Sequence, residues 1–376
     1  MRRTNHDSTV LLTGYPGFDA RLLAQRILSH EPGTLLYCLV STSDSATTSQ
    51  HLARLSPDDR ARVVLLEGDP AGMDLGLSGK EFLEVRSRID RIYHFAPLIS
   101  VTASREQAEY VNVSGMAEVV GLAREASHLR CVVVRSQASV SGSRTGLVTE
   151  DELMEGQEFR NPIEETLAHA ERIARRAMSK DLPIAVVRPS IVVGHSQTGE
   201  VDRFEGPYTL VLLILNSPTE LALPMPARGN MALNVVPIDY VVAAAHQIGR
   251  DTRAPGRTFH LVDPTPLPAR RVFELLAQAA GRRSPRGHIP SYIARAVLRA
   301  PGIERFLKSP RAFLEYLTTP VRYDARNAEE ILAGTGISCP PFESYVDRLV
   351  AWVRDHTRQR RSIRPPRPVE DDDPLS

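Results

Sequence analysis

Short, unbroken apolar runs punctuate the first half of the chain, and each is followed by a segment with helical spacing. Val10-Leu11-Leu12 leads through Thr13 into Gly14, after which Leu22, Leu23 and Ile27 recur at helical intervals. Residues 34–40, 62–67 (Val-Val-Leu-Leu at the centre), 91–96, 130–135 (Cys-Val-Val-Val) and 182–188 repeat the strand signal. Helices are expected between them, notably over 106–126 and 161–180. Strands that are apolar throughout are covered on both faces, and their alternation with helices predicts an α/β fold with a Rossmann-like, doubly wound parallel sheet and right-handed crossovers.

After Val193 the alternation stops. Pro207, Pro218, Pro224, Pro226 and Pro237 cut the chain into short pieces, and helices are expected over 270–280, 323–332 and 342–356, the last carrying Trp352. This predicts a flexible N-terminus (1–8), a nucleotide-binding domain (9–194) and a smaller substrate lobe over the sheet's carboxyl edge. The lobe falls within 195–356, with 235–263 returning to the core. The tail 357–376 is basic, then proline-rich, then acidic, and is expected to be disordered.

Bulk properties narrow the function. A net charge of +1 over 376 residues supplies no field for nucleic acid or a membrane surface. The apolar stretch Tyr208 to Leu215 is too short to span a bilayer. Met1 to Ser8 has no apolar segment of the kind a signal peptide requires. Cys38, Cys131 and Cys339 are odd in number and far apart, so reduced thiols, no metal and a cytoplasmic location are expected. The basic residues are nearly all arginine; the only lysines are Lys80, Lys180 and Lys308.

The first strand runs into Thr13-Gly14-Tyr15-Pro16-Gly17-Phe18 and then a helix. Such a turn aims backbone N–H groups at an anion. Gly14 serves the tight turn and Gly17 the close approach of a diphosphate, while Ala20 takes the third small position. Further segments sharpen the picture: Glu67-Gly68-Asp69, Tyr93-His94-Phe95-Ala96, Asn112-Val113-x-Gly115, Gly156-Gln157-x-Phe159-x-Asn161-Pro162, Arg188-Pro189-Ser190 through Gly194, Asp202 through Tyr208, and Asn234 through Val241. Together they resemble the extended short-chain dehydrogenases/reductases (SDRs), in the branch of thioester reductases and fatty-acyl-CoA reductases, over about residues 9–355. The resemblance implies NAD or NADP as cofactor and acyl thioesters on coenzyme A or a carrier protein as substrates. It implies cofactor contacts at Gly14, Tyr15, Pro16, Gly17, Phe18, Asp69, Ala96 and Pro189, and substrate contacts at Tyr208 and Tyr240. It also implies a Ser/Thr that polarises the carbonyl, a Tyr that donates the proton and a Lys that lowers the pKa of that Tyr.

Those three catalytic positions are replaced. Gln137 stands for Ser/Thr, Ile163 for Tyr and Leu167 for Lys. A shifted register does not restore the pair, because Gly76, Arg176 and Glu304 lie four residues before the three lysines. Ile and Leu carry no titratable proton, and general acid–base assistance is typically worth ~10²–10⁴-fold. The cofactor side departs too: Ser41 replaces the arginine that meets an NADP phosphate, Pro70 has no N–H for the adenine ring, and Pro97 replaces a small residue. A degenerate SDR follows, acting as a non-redox enzyme or as a binding or scaffold protein for acyl or carrier-bound intermediates. The alternatives are a working reductase that uses Gln137 with water, Glu164 or Glu165, and a non-hydride reaction needing a perturbed carboxylate or histidine near Gln137. Other readings stay open. The stripe Ile163, Leu167, Ala170, Ala174 and Ala177 serves core packing or a reshaped pocket. Glu165 and His169 form a solvated i,i+4 pair or a replacement acid and base. His94 packs at its strand end, and Asn112 bonds backbone at a helix bend.

Overall fold

Seven strands form one sheet: β1 (Ser8–Thr13), β2 (Thr34–Val40), β3 (Val63–Glu67), β4 (Arg91–His94), β5 (Cys131–Arg135), β6 (Ile184–Pro189) and β7 (Thr258–Leu261). The computed structural model describes residues 6–100, 103–178, 182–201, 225–226, 230–283, 288–289 and 320–362. The strand order is β3-β2-β1-β4-β5-β6-β7, and every pairing is parallel. The order reverses between β1 and β4, where Thr13 lies opposite His94. At such a switch point the connections leave in opposite directions and open a crevice at the carboxyl ends of the strands.

Adjacent residues of β1 point to opposite faces, as a pleated strand requires. Val10 and Leu12 pack against α1 (Phe18–His30), α4 (Ile238–Arg250) and α6 (Arg326–Leu332), in a core that includes Leu23, Ile27, Val241, Ala245 and Ile331. Leu11 packs on the other side with Ile92, Val119, Val132 and Ala174, beneath α2 (Gly115–Glu125) and α3 (Pro162–Met178). A separate core joins Val193, Leu233 and Val235 to α5 (Ala269–Ala279) and α7 (Val346–Ser362) through Phe273, Leu276, Tyr345 and Leu349. That core draws on the segment expected to form the smaller lobe. Below the sheet's amino edge, Glu31 accepts hydrogen bonds from Arg91 (2.9 Å) and His246 (2.7 Å), tying α1, β4 and α4 together.

Several expectations are revised. The seventh strand, β7, lies in the segment expected only to return to the core. The helix expected from residue 323 begins at Arg326, because Val321–Tyr323 is extended and pairs with Gly146–Val148. α6 packs on the main core and not within the lobe. The helix expected over 106–126 is interrupted: Arg105–Ala108 passes through a π-helical turn, Glu109–Ser114, before α2 begins. α7 continues to Ser362, so the first residues of the expected tail are helical; residues 363–376 lie outside the described residues. Among the described residues, no helix is long and apolar enough to cross a membrane, and no cluster of His, Cys, Asp or Glu could hold a metal ion.

Candidate functional site

The turn after β1 rests directly on β4. Gly14 has φ +90°, and a Cβ placed there would fall 2.1 Å from the Phe95 carbonyl oxygen and 3.0 Å from the Ala96 nitrogen. Glycine is the residue that tolerates both the dihedral angle and the contact. Gly17 N–H donates to Gly14 O at 2.8 Å, and a Cβ on Gly17 would meet that same oxygen. The side chain of Tyr15 is buried in the core beside α1, where burial and the neighbouring Cys38 push its pKa up to about 12. Pro16, joined to Tyr15 by a cis peptide bond, and Phe18 are half-buried, and Gly17 is exposed at the crevice. The N–H groups of Phe18 and Asp19 precede the first intrahelical donor, that of Arg21, so they are end groups of α1.

The residues expected to meet the adenine are engaged with the chain itself. Asp69 Oδ1 accepts from the Ala71 N–H at 2.9 Å, and Oδ2 accepts from the Tyr110 hydroxyl at 2.8 Å. Pro70 offers no N–H. Pro189 closes β6 opposite Leu261, and Ala96 and Pro97 are half-buried after β4. Ser41 Oγ accepts from Ser43 N–H, capping a short helical turn after β2.

The positions expected to hold the catalytic Ser/Thr, Tyr and Lys carry other chemistry. Gln137 is extended and half-buried just past β5. α3 starts at Pro162, with Asn161 Oδ1 accepting from Glu164 N–H as an N-cap. Ile163, Leu167 and Glu171 follow at four-residue spacing and share one face of α3. Ile163 and Leu167 are both 3% exposed and pack with Ala108, Val140, Leu153 and Leu98. Ala170, Ala174 and Ala177 belong to the sheet core, so the predicted stripe divides between two clusters. A narrow cleft beside Leu167 is lined by His94, Asn112, Arg135, Ser136 and Glu171.

Two of the proposed replacement acids are committed elsewhere. Glu165 pairs with Arg105 at 2.7 Å rather than with His169, and the arginine holds the carboxyl below its ordinary range. Glu164 is buried and pairs with Arg160 at 2.9 Å. His94 Nδ1 lies 2.8 Å from Thr13 Oγ1, and burial lowers its pKa to about 4, so the ring is neutral at pH 7. Asn112, within the π-helical turn, accepts from Leu98 N–H (2.7 Å) and donates to Leu98 O (3.1 Å) and Thr166 Oγ1 (3.0 Å). Tyr240 is 8% exposed in the main core, and Tyr208 lies outside the described residues.

Beneath these positions runs a buried polar network that spacing alone did not reveal. Ser136 donates to Glu171 at 2.7 Å, and Glu171 accepts a two-pronged contact from Arg188 Nε and Nη2 and another from Arg175. Burial alone would raise the Glu171 pKa, but Arg188, Arg175 and Ser136 outweigh it and hold the carboxyl low. Arg188 Nη1 lies 3.2 Å from His260 Nε2. Arginine only donates, so Nε2 accepts and the proton sits on Nδ1, which donates to Asp324 O at 2.6 Å. A second unforeseen pair lies in the crevice itself: Arg135 Nε is 2.9 Å from Asp19 Oδ2, with Arg135 only 3% exposed. The available signals were an arginine closing the apolar run of β5 and an aspartate in the first turn of α1.

Comparison with known proteins places this arrangement. The family model described as "Male sterility protein", an NAD-binding domain, matches residues 12–245. A non-canonical nonribosomal peptide synthetase, hkm10, of Aspergillus hancockii is 26% identical over 279 residues, covering 70% of this chain and 27% of that protein. The aldehyde reductase lnaA of Aspergillus flavus is 28% identical, covering 69% of this chain and 26% of that protein. The chain thus spans about a quarter of the length of these relatives. The terminal R domain of the myxalamid PKS-NRPS biosynthetic pathway superposes with a TM-score of 0.77 at 23% identity, covering 94% of this chain and 92% of that one.

Proposed function

The chain belongs to the male sterility protein family of NAD-binding domains, and from that premise we propose that it is a thioester-reductase-like protein without ordinary hydride-transfer catalysis. It serves as a non-redox enzyme or as a binding or scaffold protein for acyl or carrier-protein-bound intermediates. The observation that carries this reading is the filling of the Tyr and Lys positions by Ile163 and Leu167 inside a closed apolar cluster. A proton donor there would need a titratable group within hydrogen-bond reach of the substrate carbonyl. The nearby Glu164 and Glu165 are instead paired to arginines. Gln137 retains an amide that can donate a hydrogen bond to a carbonyl oxygen, which polarises it without delivering a proton.

The residues present fit one end of a nicotinamide dinucleotide better than the other. Gly14, Gly17 and the first turn of α1 form a close-approach cradle suited to its diphosphate. Bound there, the cofactor would supply a hydride, but the positions expected to hold the proton donor and its lysine carry Ile163 and Leu167. Relatives named as peptide synthetases and an aldehyde reductase support a ligand at the thioester or aldehyde level. The test is turnover of NADH and NADPH with acyl-coenzyme A and carrier-bound acyl thioesters. Wild type is expected to show none above background, whereas Ile163→Tyr combined with Leu167→Lys is expected to raise reductase activity by ~10²-fold or more. Wild-type turnover at the rates of ordinary reductases would overturn the proposal in favour of catalysis through Gln137 and water.

A further inference from the structure

The end of β5 carries a charge that the apolar strand around it does not explain. Cys131 to Val134 are buried apolar residues, yet Arg135 follows them, 3% exposed, with its guanidinium reaching past the end of β4 to α1. Its Nε approaches Asp19 Oδ2 at 2.9 Å, but the N–H is not aligned for a hydrogen bond, and Nη1 has no hydrogen-bond partner among the described residues. A buried guanidinium ordinarily satisfies its five donors, because an unmade hydrogen bond to a charged group is costly. Asp19 is a fifth exposed, sits in the first turn of α1 and also accepts from Ala20 N–H at 3.0 Å. Its carboxylate therefore neutralises both the buried arginine and the positive end of the helix.

We propose that Arg135 is an anion-binding residue of the crevice, that Asp19 is its internal counter-ion, and that a diphosphate ester is the ligand that competes with Asp19. Three observations converge on that chemistry. The Gly14–Gly17 turn brings backbone within contact distance of β4, the N–H groups of Phe18 and Asp19 lead the helix, and the unpartnered face of Arg135 lies beside the same helix end. An incoming diphosphate would gain the free Nη1 and the helix amides, in charge-assisted hydrogen bonds, and would face repulsion from the Asp19 carboxylate. Adenosine diphosphate esters of two kinds share this chemistry, a dinucleotide and coenzyme A. The inference does not rest on the loss of hydride transfer, since a diphosphate can bind in either case.

Isothermal titration of the purified chain with ADP-ribose and, separately, with coenzyme A distinguishes the two sources, and neither probe is a hydride donor. Asp19→Asn is expected to tighten binding about tenfold by removing a like charge from beside the diphosphate. Arg135→Leu is expected to weaken it by at least about tenfold, and Arg135→Lys by less. Opposite signs for the two partners are the signature, because a purely structural ion pair would lower thermal stability on either side without strengthening binding on one. If Arg135→Leu does not fold, Asp19→Asn at the more exposed partner still decides. Binding by Asp19→Asn that is no tighter than wild type, or no binding of either probe by wild type and Asp19→Asn at millimolar concentration, would overturn the proposal.

Discussion

Gly14 has no freedom to change. Any side chain there meets the Phe95 carbonyl at 2.1 Å while holding φ at +90°, so Gly14→Ala must shift the β1 turn off β4. The expected cost is more than ~3 kcal/mol, the range of severe backbone and packing defects, read as a lowered midpoint in thermal or urea unfolding. An unchanged midpoint would contradict the close approach of the two strand ends. Glu171 is fixed by charge rather than by space. Glu171→Gln leaves Arg188 and Arg175 facing a neutral amide in the interior, which is expected to cost about 3–5 kcal/mol. The two kinds of residue differ in how well the sequence reveals them. Gly14 is legible because the glycine turn is local, and Ile163 and Leu167 because their positions are fixed relative to Asn161-Pro162. The Arg135–Asp19 and Glu171–Arg188 pairs join residues far apart in the chain, and they become neighbours only once the strand order is known.

Helix α3 shows how one element carries both the resemblance and the departure. Its cap at Asn161, its start at Pro162 and its four-residue spacing keep the framework that the resemblance expects of a catalytic helix, while the side chains presented are apolar at Ile163 and Leu167 and ion-paired at Glu171. The loop facing that helix is held by Asn112, which binds both backbone groups of Leu98 and the hydroxyl of Thr166. Asn112→Ala strands the Leu98 N–H and C=O, and is expected to cost ~1–3 kcal/mol. Amide hydrogen exchange should locate that loss, with faster exchange at Leu98 than in β1 or β5; uniform acceleration across the sheet would assign Asn112 a global role instead. The bend expected at Asn112 takes the form of a π-helical turn, a form that the ordinary helical pattern of residues 106–126 does not specify. Strands β1 to β6 were legible to within a residue or two from their apolar runs. β7 was not, since Thr258–Leu261 holds only two apolar residues, and its polar His260 is buried through partners on distant segments.

Across the described residues, buried titratable groups on different elements contribute to the response to acid, among them His94, His260 and Glu150. His94 in β4 and His260 in β7 are each lowered by burial to about 4, with the charge of Arg188 adding to the effect at His260. Glu150, on the segment between the Gly146–Val148 strand and α3, is 3% exposed and accepts from the N–H groups of His260, Asn327 and Ala328. Those donors favour its ionised form, but burial outweighs them and raises its pKa to about 7. An unfolded histidine titrates near 6.5, so the unfolded chain takes up protons at His94 and His260 first. The stability tied to their neutral forms is present above pH 6.5 and lost as pH falls toward 4. Glu150 runs the other way: its native carboxyl holds a proton that the unfolded chain releases above about pH 4.5, so its contribution grows as pH falls from 7 to 4.5. Each group is worth up to about 3 kcal/mol at full effect. Between pH 6.5 and 4.5 the losses at His94 and His260 oppose the gain at Glu150, and burial lowers His246 in the same direction as the other two histidines, so wild type should weaken. Glu150→Gln removes the opposing gain while keeping an acceptor oxygen for the backbone N–H of His260. Urea unfolding at pH 7, 6 and 5 should therefore show a steeper decline for Glu150→Gln than for wild type, whatever its absolute stability at pH 7. Parallel curves would mean that the three backbone donors keep Glu150 ionised down to the ordinary carboxylate range, so that it anchors α6 and β7 without taking part in the acid response.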